Sequence, residues 1–163
     1  ITKKQWSIAI NGSLSLLLYL LFINKLLNIN KIATIYIFII PFIVASLALM
    51  FGNWSQHLFV DPKQPDTGYG CTINCVNHFE NQLTFNDGYH IVHHLVSRLH
   101  WSEMPYHFMN NLDKYAQQDA LCFINLGFFE IGVLAMLQKW DILANSVIKW
   151  DKLGGIIELK MKL

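Results

Sequence analysis

The stretch IATIYIFIIPFIVASLALMF, residues 32–51, holds twenty residues without a charged side chain. Wound as a helix, a run of that length is long enough to cross a hydrocarbon core of about 30 Å. A second uncharged run covers residues 6–24 and continues apolar through Leu27. Only residues 28–31 separate the two runs, so we predict a tight antiparallel pair of membrane-spanning helices.

The composition supports a membrane protein. Of 163 residues, 53% are hydrophobic and 14% are charged, which lies outside the range typical of soluble domains. The net charge of +1, without a basic tract, gives no support for a nucleic-acid partner. Neither apolar run resembles a cleaved signal peptide, because each is too long and no small-residue cleavage site follows. The alternative is a pair of buried helices in a soluble protein.

Three histidines within five residues follow the apolar runs. His90, His93 and His94 form the pattern HxxHH, and Asn86-Asp87-Gly88 precedes it. On a helix, His90 lies one turn from both other histidines. His93 and His94 are about 100° apart around the helix axis, which lets them serve different metal ions. Imidazole suits iron, copper, zinc and nickel, so the spacing predicts a metal site without choosing the metal.

A polar pair directly follows the second apolar run. Asn53 and His57 are four residues apart and share one helix face. By itself the pair is typical of an interfacial helix end. Together with HxxHH further along the chain, it indicates another part of the same metal site.

The apolar hairpin, the NxxxH pair, a linker and HxxHH, in this order, resemble the C-terminal half of a membrane fatty-acid desaturase. The resemblance covers roughly residues 6–107. That family holds two iron ions with three histidine boxes, and its acyl-CoA branch adds an asparagine and a histidine after the fourth transmembrane helix. The resemblance implies metal binding and catalysis by His57, His90, His93 and His94, with Asn53 reaching a metal through water.

The expected fold is mainly α, an integral membrane hairpin followed by a mostly helical cytosolic cap. We expect a hairpin at residues 1–51, a metal-binding region at 52–118, and interfacial or cytosolic helices with a tail at 119–163. The resemblance implies the O2-dependent introduction of a double bond into a long-chain acyl lipid or acyl-CoA. Electrons would come from a cytochrome b5 or ferredoxin type donor, in the endoplasmic reticulum membrane with the histidines on the cytosolic side.

The sequence departs from the family at its beginning. No histidine precedes His57, so the first two boxes are absent. We therefore interpret the chain as a C-terminal fragment and expect it to be inactive by itself. The alternatives are a lipid hydroxylase or sphingolipid desaturase with the same boxes, and a truncated membrane protein without enzyme activity. A transporter or channel is disfavoured, because all seven histidines lie outside the apolar runs.

Several smaller patterns lie around the histidines. Cys71, Cys75 and His78 spell C-x3-C-x2-H, for which zinc is the alternative to a loop with two buried thiols and a linker histidine. Residues 66–70 are expected to form a turn, and the chain from there to Asp87 is expected to be irregular with short helical pieces. Asn86 or Asp87 is the predicted N-cap of the histidine helix. Asp87 or Glu103 is the predicted acceptor that orients a ligand imidazole.

A third apolar stretch, residues 119–139, is interrupted by Asn125, Glu130 and Gln138. A charge at the middle of a bilayer costs about 3 kcal/mol on insertion scales, so this stretch is not expected to span. We predict a helix that packs against the cap and the membrane interface. The tail after Trp150 is expected to lie on an anionic membrane surface or to be disordered.

Overall fold

The computed structural model describes residues 3–150, without the side chains of Lys3 and Lys4. The chain forms two compact units, Ile1–Leu49 and Met50–Leu163. The first unit is the hairpin, and residues 50–150 of the second unit form the cap. The tail predicted after Trp150 lies outside the described residues.

The hairpin consists of two helical rods joined at a single residue. The first rod is α1 (Lys3–Ile29), and the second runs continuously through α2 (Lys31–Thr34), a π-helical segment (Ile35–Ile39) and α3 (Ile40–Gln56). Both rods are long and apolar enough to cross a membrane, over Gln5–Ile29 and Lys31–Gln56. The predicted four-residue loop is shorter in the structure, because Asn30 caps α2 by accepting a hydrogen bond from the Ala33 N–H at 3.0 Å.

Aromatic contacts show that the two rods of the hairpin run antiparallel. The ring centroids of Tyr19 and Phe42 are 6.0 Å apart, and those of Phe22 and Phe38 are 5.8 Å apart. Most other apolar side chains of the hairpin are exposed around its whole circumference. A helix that is apolar all round is suited to lipid rather than to water. The prediction of two helices able to span a membrane is confirmed.

The π-helical segment lies directly ahead of Pro41. Proline has no backbone N–H, and its ring collides with the carbonyl group one turn earlier in an α-helix. The wider π-helical turn at residues 35–39 accommodates the missing N–H and the ring of Pro41, so the rod continues past the proline. The second rod therefore continues uninterrupted to Gln56, where the first candidate metal ligand follows.

The cap is built around a small parallel sheet that the sequence analysis did not predict. Strand β1 (Asn74–Val76) pairs with β2 (Cys122–Ile124), and Asn74 lies opposite Cys122. Two three-residue strands show too little periodicity to be recognised from sequence. The helices of the cap are α4 (Glu80–Leu83), α5 (His90–Leu95), α6 (Met104–Asn110), α7 (Leu112–Gln117), α8 (Phe128–Met136) and α9 (Trp140–Asn145), with a 3₁₀ turn at Trp101–Glu103.

The strands divide the core of the cap into two clusters, because successive side chains of a strand point to opposite faces. Val76 and Cys122 face a cluster that contains α5, α6 and α7, whereas Cys75 and Phe123 face a cluster built on α8 and α9. The third apolar stretch, residues 119–139, was predicted as one helix, and that prediction is wrong. It forms β2 and then α8, because the strand must pair with β1 before the chain turns at residues 125–127.

Candidate metal centre

His57 lies one residue beyond the end of α3. Its backbone N–H still bonds to the Asn53 carbonyl at 3.2 Å, so the ring keeps a helical position. The ring Nδ1 lies 2.9 Å from the carbonyl oxygen of Cys71, which can only accept a hydrogen bond. Nδ1 therefore carries the proton, and Nε2 is left with its lone pair available.

His90 and His94 are held by α5, whose N-terminus is capped from a distant strand. The side-chain oxygen of Asn74 accepts a hydrogen bond from the Ile91 N–H at 2.8 Å. The predicted N-cap at Asn86 or Asp87 is wrong: the N-cap residue is Tyr89, which makes no side-chain cap bond. Asn74 has this role because β1 runs beside the first turn of α5, a relationship that no local pattern reveals.

The backbone conformation of the turn before α5 accounts for the residues Asn86-Asp87-Gly88. Phe85 and Asn86 have φ angles of 53° and 58°, in the left-handed region. At Gly88 a β-carbon would collide with the side-chain oxygen of Asn81 and the carbonyl oxygen of Cys75. The Cys75 N–H also donates to the Gly88 carbonyl at 2.7 Å. Only glycine allows this close approach, which holds the start of α5 against β1.

Three imidazoles converge at this place. The Nε2 atoms of His57 and His90 are 3.3 Å apart, and the ring centroid of His94 is 5.0 Å from the centroid of each. One nitrogen from each ring lies within 4.8 Å of the others. His90 is 8% exposed, His57 is half-buried and His94 is on the surface. The group therefore opens to one side of the cap.

Asp87 lies on the Nδ1 side of the His90 ring, whereas the Nε2 side faces His57. Its Oδ1 is 3.5 Å from His90 Nδ1, and its Oδ2 accepts a hydrogen bond from the Gln56 amide at 3.0 Å. Burial opposes ionisation of Asp87, but hydrogen bonding to His90, the charges of His90 and His93, and the Gln56 bond outweigh it and lower the pKa of the carboxyl group. Of the two acceptors predicted from sequence, Asp87 makes this contact, whereas Glu103 is exposed in the 3₁₀ turn.

His94 completes the group, and its surroundings favour the neutral form of its ring. Burial, and then repulsion from His90, His57 and His93 whenever those rings are protonated, lower the pKa of His94. Its Nδ1 lies 3.7 Å from the sulfur of Cys71. A neutral imidazole is the form that binds metal ions.

The structure does not bring every predicted residue into this group. His93 is exposed, with its ring centroid 5.5 Å from that of His90 and 5.8 Å from that of His94. Asn53 is also exposed. Within residues 3–150, the group of three nearby ligand residues consists of His57, His90 and His94 alone.

The three histidines fit a transition-metal ion. Two nitrogens bound to one metal at about 2.0–2.1 Å, with tetrahedral or octahedral angles, lie roughly 2.9–3.4 Å apart. The separation of 3.3 Å between the Nε2 atoms of His57 and His90 falls in that range. His57 Nδ1 is hydrogen-bonded to the Cys71 carbonyl, and His90 Nδ1 lies 3.5 Å from the Asp87 carboxylate, an ion-pair rather than a hydrogen-bond contact, so the Nε2 atoms of the two rings face each other. Neutral nitrogen donors suit iron, as they suit zinc, copper and nickel.

Cys71, Cys75 and His78 do not form the alternative zinc site. The Cys75 side chain is buried in the core cluster of α8 and α9. His78 lies in the segment that links β1 to α4, and its side chain, which is 8% exposed, lies between two carboxylates. The distances are 3.5 Å to Glu80 and 3.2 Å to Glu130, on opposite ring nitrogens.

Comparison with known proteins identifies the family of the chain. The profile of the fatty acid desaturase family matches residues 2–125, which include the hairpin, the NxxxH pair and HxxHH. The chain belongs to the fatty acid desaturase family. No curated protein and no solved structure gives a significant match. Membership of the desaturase family confirms the resemblance and indicates an oxidoreductase of lipid metabolism in general terms.

Proposed function

We propose that this desaturase chain supplies metal ligands to the di-iron centre of an O2-dependent enzyme that introduces a double bond into a long acyl chain. The observation that carries the proposal is the convergence of His57, His90 and His94, with ligand nitrogens within 4.8 Å of one another. The order of hairpin, NxxxH and HxxHH within a family match over residues 2–125 supports the choice of iron.

The roles of the individual residues follow from their positions. His57, His90 and His94 hold one iron through their Nε2 atoms. His93 and Asn53, which are exposed outside this group, serve a second iron, Asn53 through a water molecule. Bound iron with O2 supplies the oxidising power to remove hydrogen from an unactivated methylene pair, which protein side chains lack. The chain itself orients the ligands, through the Cys71 carbonyl at His57 and Asp87 at His90.

The substrate and the electron donor belong to the same proposal. The substrate would be a long-chain acyl lipid or acyl-CoA. A cytochrome b5 or ferredoxin type protein would supply the electrons from the side on which His93 and His94 are exposed. We place the enzyme in the endoplasmic reticulum with the histidines in the cytosol.

The last part of the cap is proposed to rest on the membrane interface. Helix α8 packs its buried side against the final turns of the second rod, where a β-carbon at Gly132 would meet Phe51 and Ser55. The helix also exposes an apolar stripe, which begins at Phe129 beside Phe51 and Gly52. The stripe consists of Phe129, Val133, Met136 and Leu137, which recur at helical spacing. An exposed apolar stripe beside the end of a membrane-crossing rod is suited to the acyl boundary of a bilayer.

The proposal is tested by the metal content of the purified chain. The 163-residue protein in detergent micelles is loaded anaerobically with Fe²⁺, desalted and analysed by plasma mass spectrometry. We expect about one tightly held iron per chain, since three ligands converge at one point. His57→Ala, His90→Ala and His94→Ala should each lose it, whereas His93→Ala and the control His100→Ala should retain it.

Equal iron content in wild type and His90→Ala would overturn the metal assignment. The reaction itself is read from products: in a complete enzyme that carries this segment, His93→Ala should abolish the unsaturated acyl product and leave membrane insertion intact. A hydroxylated acyl chain in place of the unsaturated one would identify a hydroxylase instead.

A further inference from the structure

Cys71 touches two of the three converging imidazoles through two different groups. Its carbonyl oxygen accepts the hydrogen bond from His57 Nδ1 at 2.9 Å. Its sulfur lies 3.7 Å from His94 Nδ1. A cysteine sulfur is a weak hydrogen-bond acceptor, so an Nδ1–H of His94 that points to it leaves Nε2 for a metal. One residue therefore contacts ligand rings from two separate elements.

The backbone beside Cys71 is fixed to the end of α3. The Thr72 hydroxyl donates to the Gln56 carbonyl at 2.7 Å, and the Ile73 N–H donates to the same oxygen at 3.2 Å. Gln56 directly precedes His57. These bonds set the Cys71 carbonyl at a constant position relative to the His57 ring.

The turn before Cys71 rests on the other element, α5. A β-carbon at Gly68 would lie 2.9 Å from Leu95 Cδ2 and 3.3 Å from His94 Cβ, so this turn packs closely on α5. The Cys71 N–H closes the turn by donating to the Thr67 carbonyl at 3.0 Å. The contact between the sulfur and His94 therefore follows from packing on both sides of Cys71.

We propose that the Cys71 thiol is a positioning residue of the metal centre, which holds His94 with Nε2 toward the metal as Asp87 holds His90. The inference rests on the proposed function, because it requires a metal at His57, His90 and His94. The other two cysteines have no such part. Cys75 and Cys122 are 1% and 0% exposed, and burial raises the pKa of both thiols.

The loss of metal affinity expected on replacing Cys71 can be estimated from similar sites. Loss of a group that orients a ligand imidazole lowers metal affinity by about 10–100-fold. Since sulfur is a weak acceptor, we expect Cys71→Ala to lie at the lower end, roughly tenfold. Cys71→Ser keeps an acceptor oxygen at the same position and should recover part of the loss. The backbone bond to His57 remains in both variants.

The test uses Co²⁺ as the probe and the 163-residue chain in micelles. The Co²⁺ dissociation constant and the visible ligand-field bands are measured for wild type, Cys71→Ala, Cys71→Ser and the control Ser97→Ala, an exposed position just beyond α5. Thermal unfolding of the metal-free variants is recorded in parallel. The expected result is weaker binding and shifted bands for Cys71→Ala, partial recovery for Cys71→Ser, and no change for Ser97→Ala.

Three results would overturn the inference. The first result is that wild type and Cys71→Ala have the same Co²⁺ affinity and the same ligand-field bands, with or without a lower unfolding temperature. The thiol would then contribute only to packing. A sulfur-to-cobalt charge-transfer band that disappears in Cys71→Ala would make the thiol a ligand. If the wild type did not bind Co²⁺, the proposed metal site would be wrong. The positioning role of Cys71, which depends on that site, would then be wrong as well.

Discussion

The Nε2 atoms of His57 and His90 face each other at 3.3 Å, while the Nδ1 atom of each ring faces a fixed oxygen. Two lone pairs at that separation repel each other unless a proton or a metal ion lies between them. A metal ion between them satisfies both nitrogens and leaves the Nδ1 side of each ring unchanged.

Metal binding should therefore stabilise the cap against unfolding. An ion that binds only the folded state adds about 2.7 kcal/mol at a free concentration one hundred times its dissociation constant. We expect Co²⁺ or Zn²⁺ to raise the thermal midpoint of the wild type and of His100→Ala. The midpoint of His57→Ala should stay constant on addition of metal. A rise of the same size in His57→Ala would contradict the site.

Asp87→Asn should weaken metal binding. The amide keeps the shape of the side chain but removes the negative charge that lies 3.5 Å from His90 Nδ1 and favours a positive site. We expect about a tenfold increase in the Co²⁺ dissociation constant. Glu103→Gln is the matched control, because this carboxylate is exposed in the 3₁₀ turn. An equal effect of both substitutions would indicate long-range charge rather than orientation of His90.

The stability of the metal-free cap should fall as the pH drops below about 6.5, the ordinary pKa of histidine. The pKa of His94 is lowered in the folded protein, so the unfolded chain binds its proton first. The contribution of His94 to stability is complete above its pKa in the unfolded chain. It is lost as the pH falls through the pKa of His94 in the folded protein. Urea midpoints between about pH 5 and 7.5, which bracket the histidine pKa, should show a shallower slope for His94→Ala than for the control His100→Ala.

A further decline in the stability of the metal-free cap is expected in acid. The pKa of Asp87 is lowered in the folded state, so its contribution is present above about pH 3.9 and is lost as the pH falls through the folded value.

Gly88→Ala should disrupt the start of α5. The added carbon would collide with the Asn81 side chain and the Cys75 carbonyl, neither of which can move without breaking a hydrogen bond of β1. Overpacking of this kind costs about 1–3 kcal/mol. Chemical unfolding of the cap and Co²⁺ affinity should both show the loss. Gly12→Ala is the control, because nothing lies within 4 Å of a β-carbon there.

The apolar stripe of α8 should be immersed in lipid. A nitroxide at Met136→Cys, in a chain whose Cys71 is replaced by serine, should be relaxed more by O2 than by a water-soluble nickel complex when the protein is in nanodiscs. A nitroxide at Lys114→Cys, exposed on α7, should show the opposite order. Equal accessibility at the two positions would place α8 in water and contradict the proposed interface.

The spacing of the sequence predicted the hairpin and the HxxHH helix, because both depend on patterns within one segment. It also indicated His57 and Asp87, since each stands near a recognisable element. No pattern indicated that Asn74 and the Cys71 sulfur would contact α5. Their contacts with α5 depend on how β1 and the preceding turn fold back over the chain, and no local periodicity records that path. His93 shared the HxxHH pattern but turned outward, because a helix cannot direct adjacent residues to one point.

The parallel pairing of β1 with β2 sets an order of assembly. Parallel strands require a long crossover, and here the crossover carries α4 to α7, including the histidine helix. Asn74 can cap α5 firmly only when β1 is held by β2, which lies far along the chain. Distant pairings of this kind form late in folding. During synthesis the ligand residues would therefore emerge well before the scaffold that aligns them, and loading of the metal would be a late event in maturation.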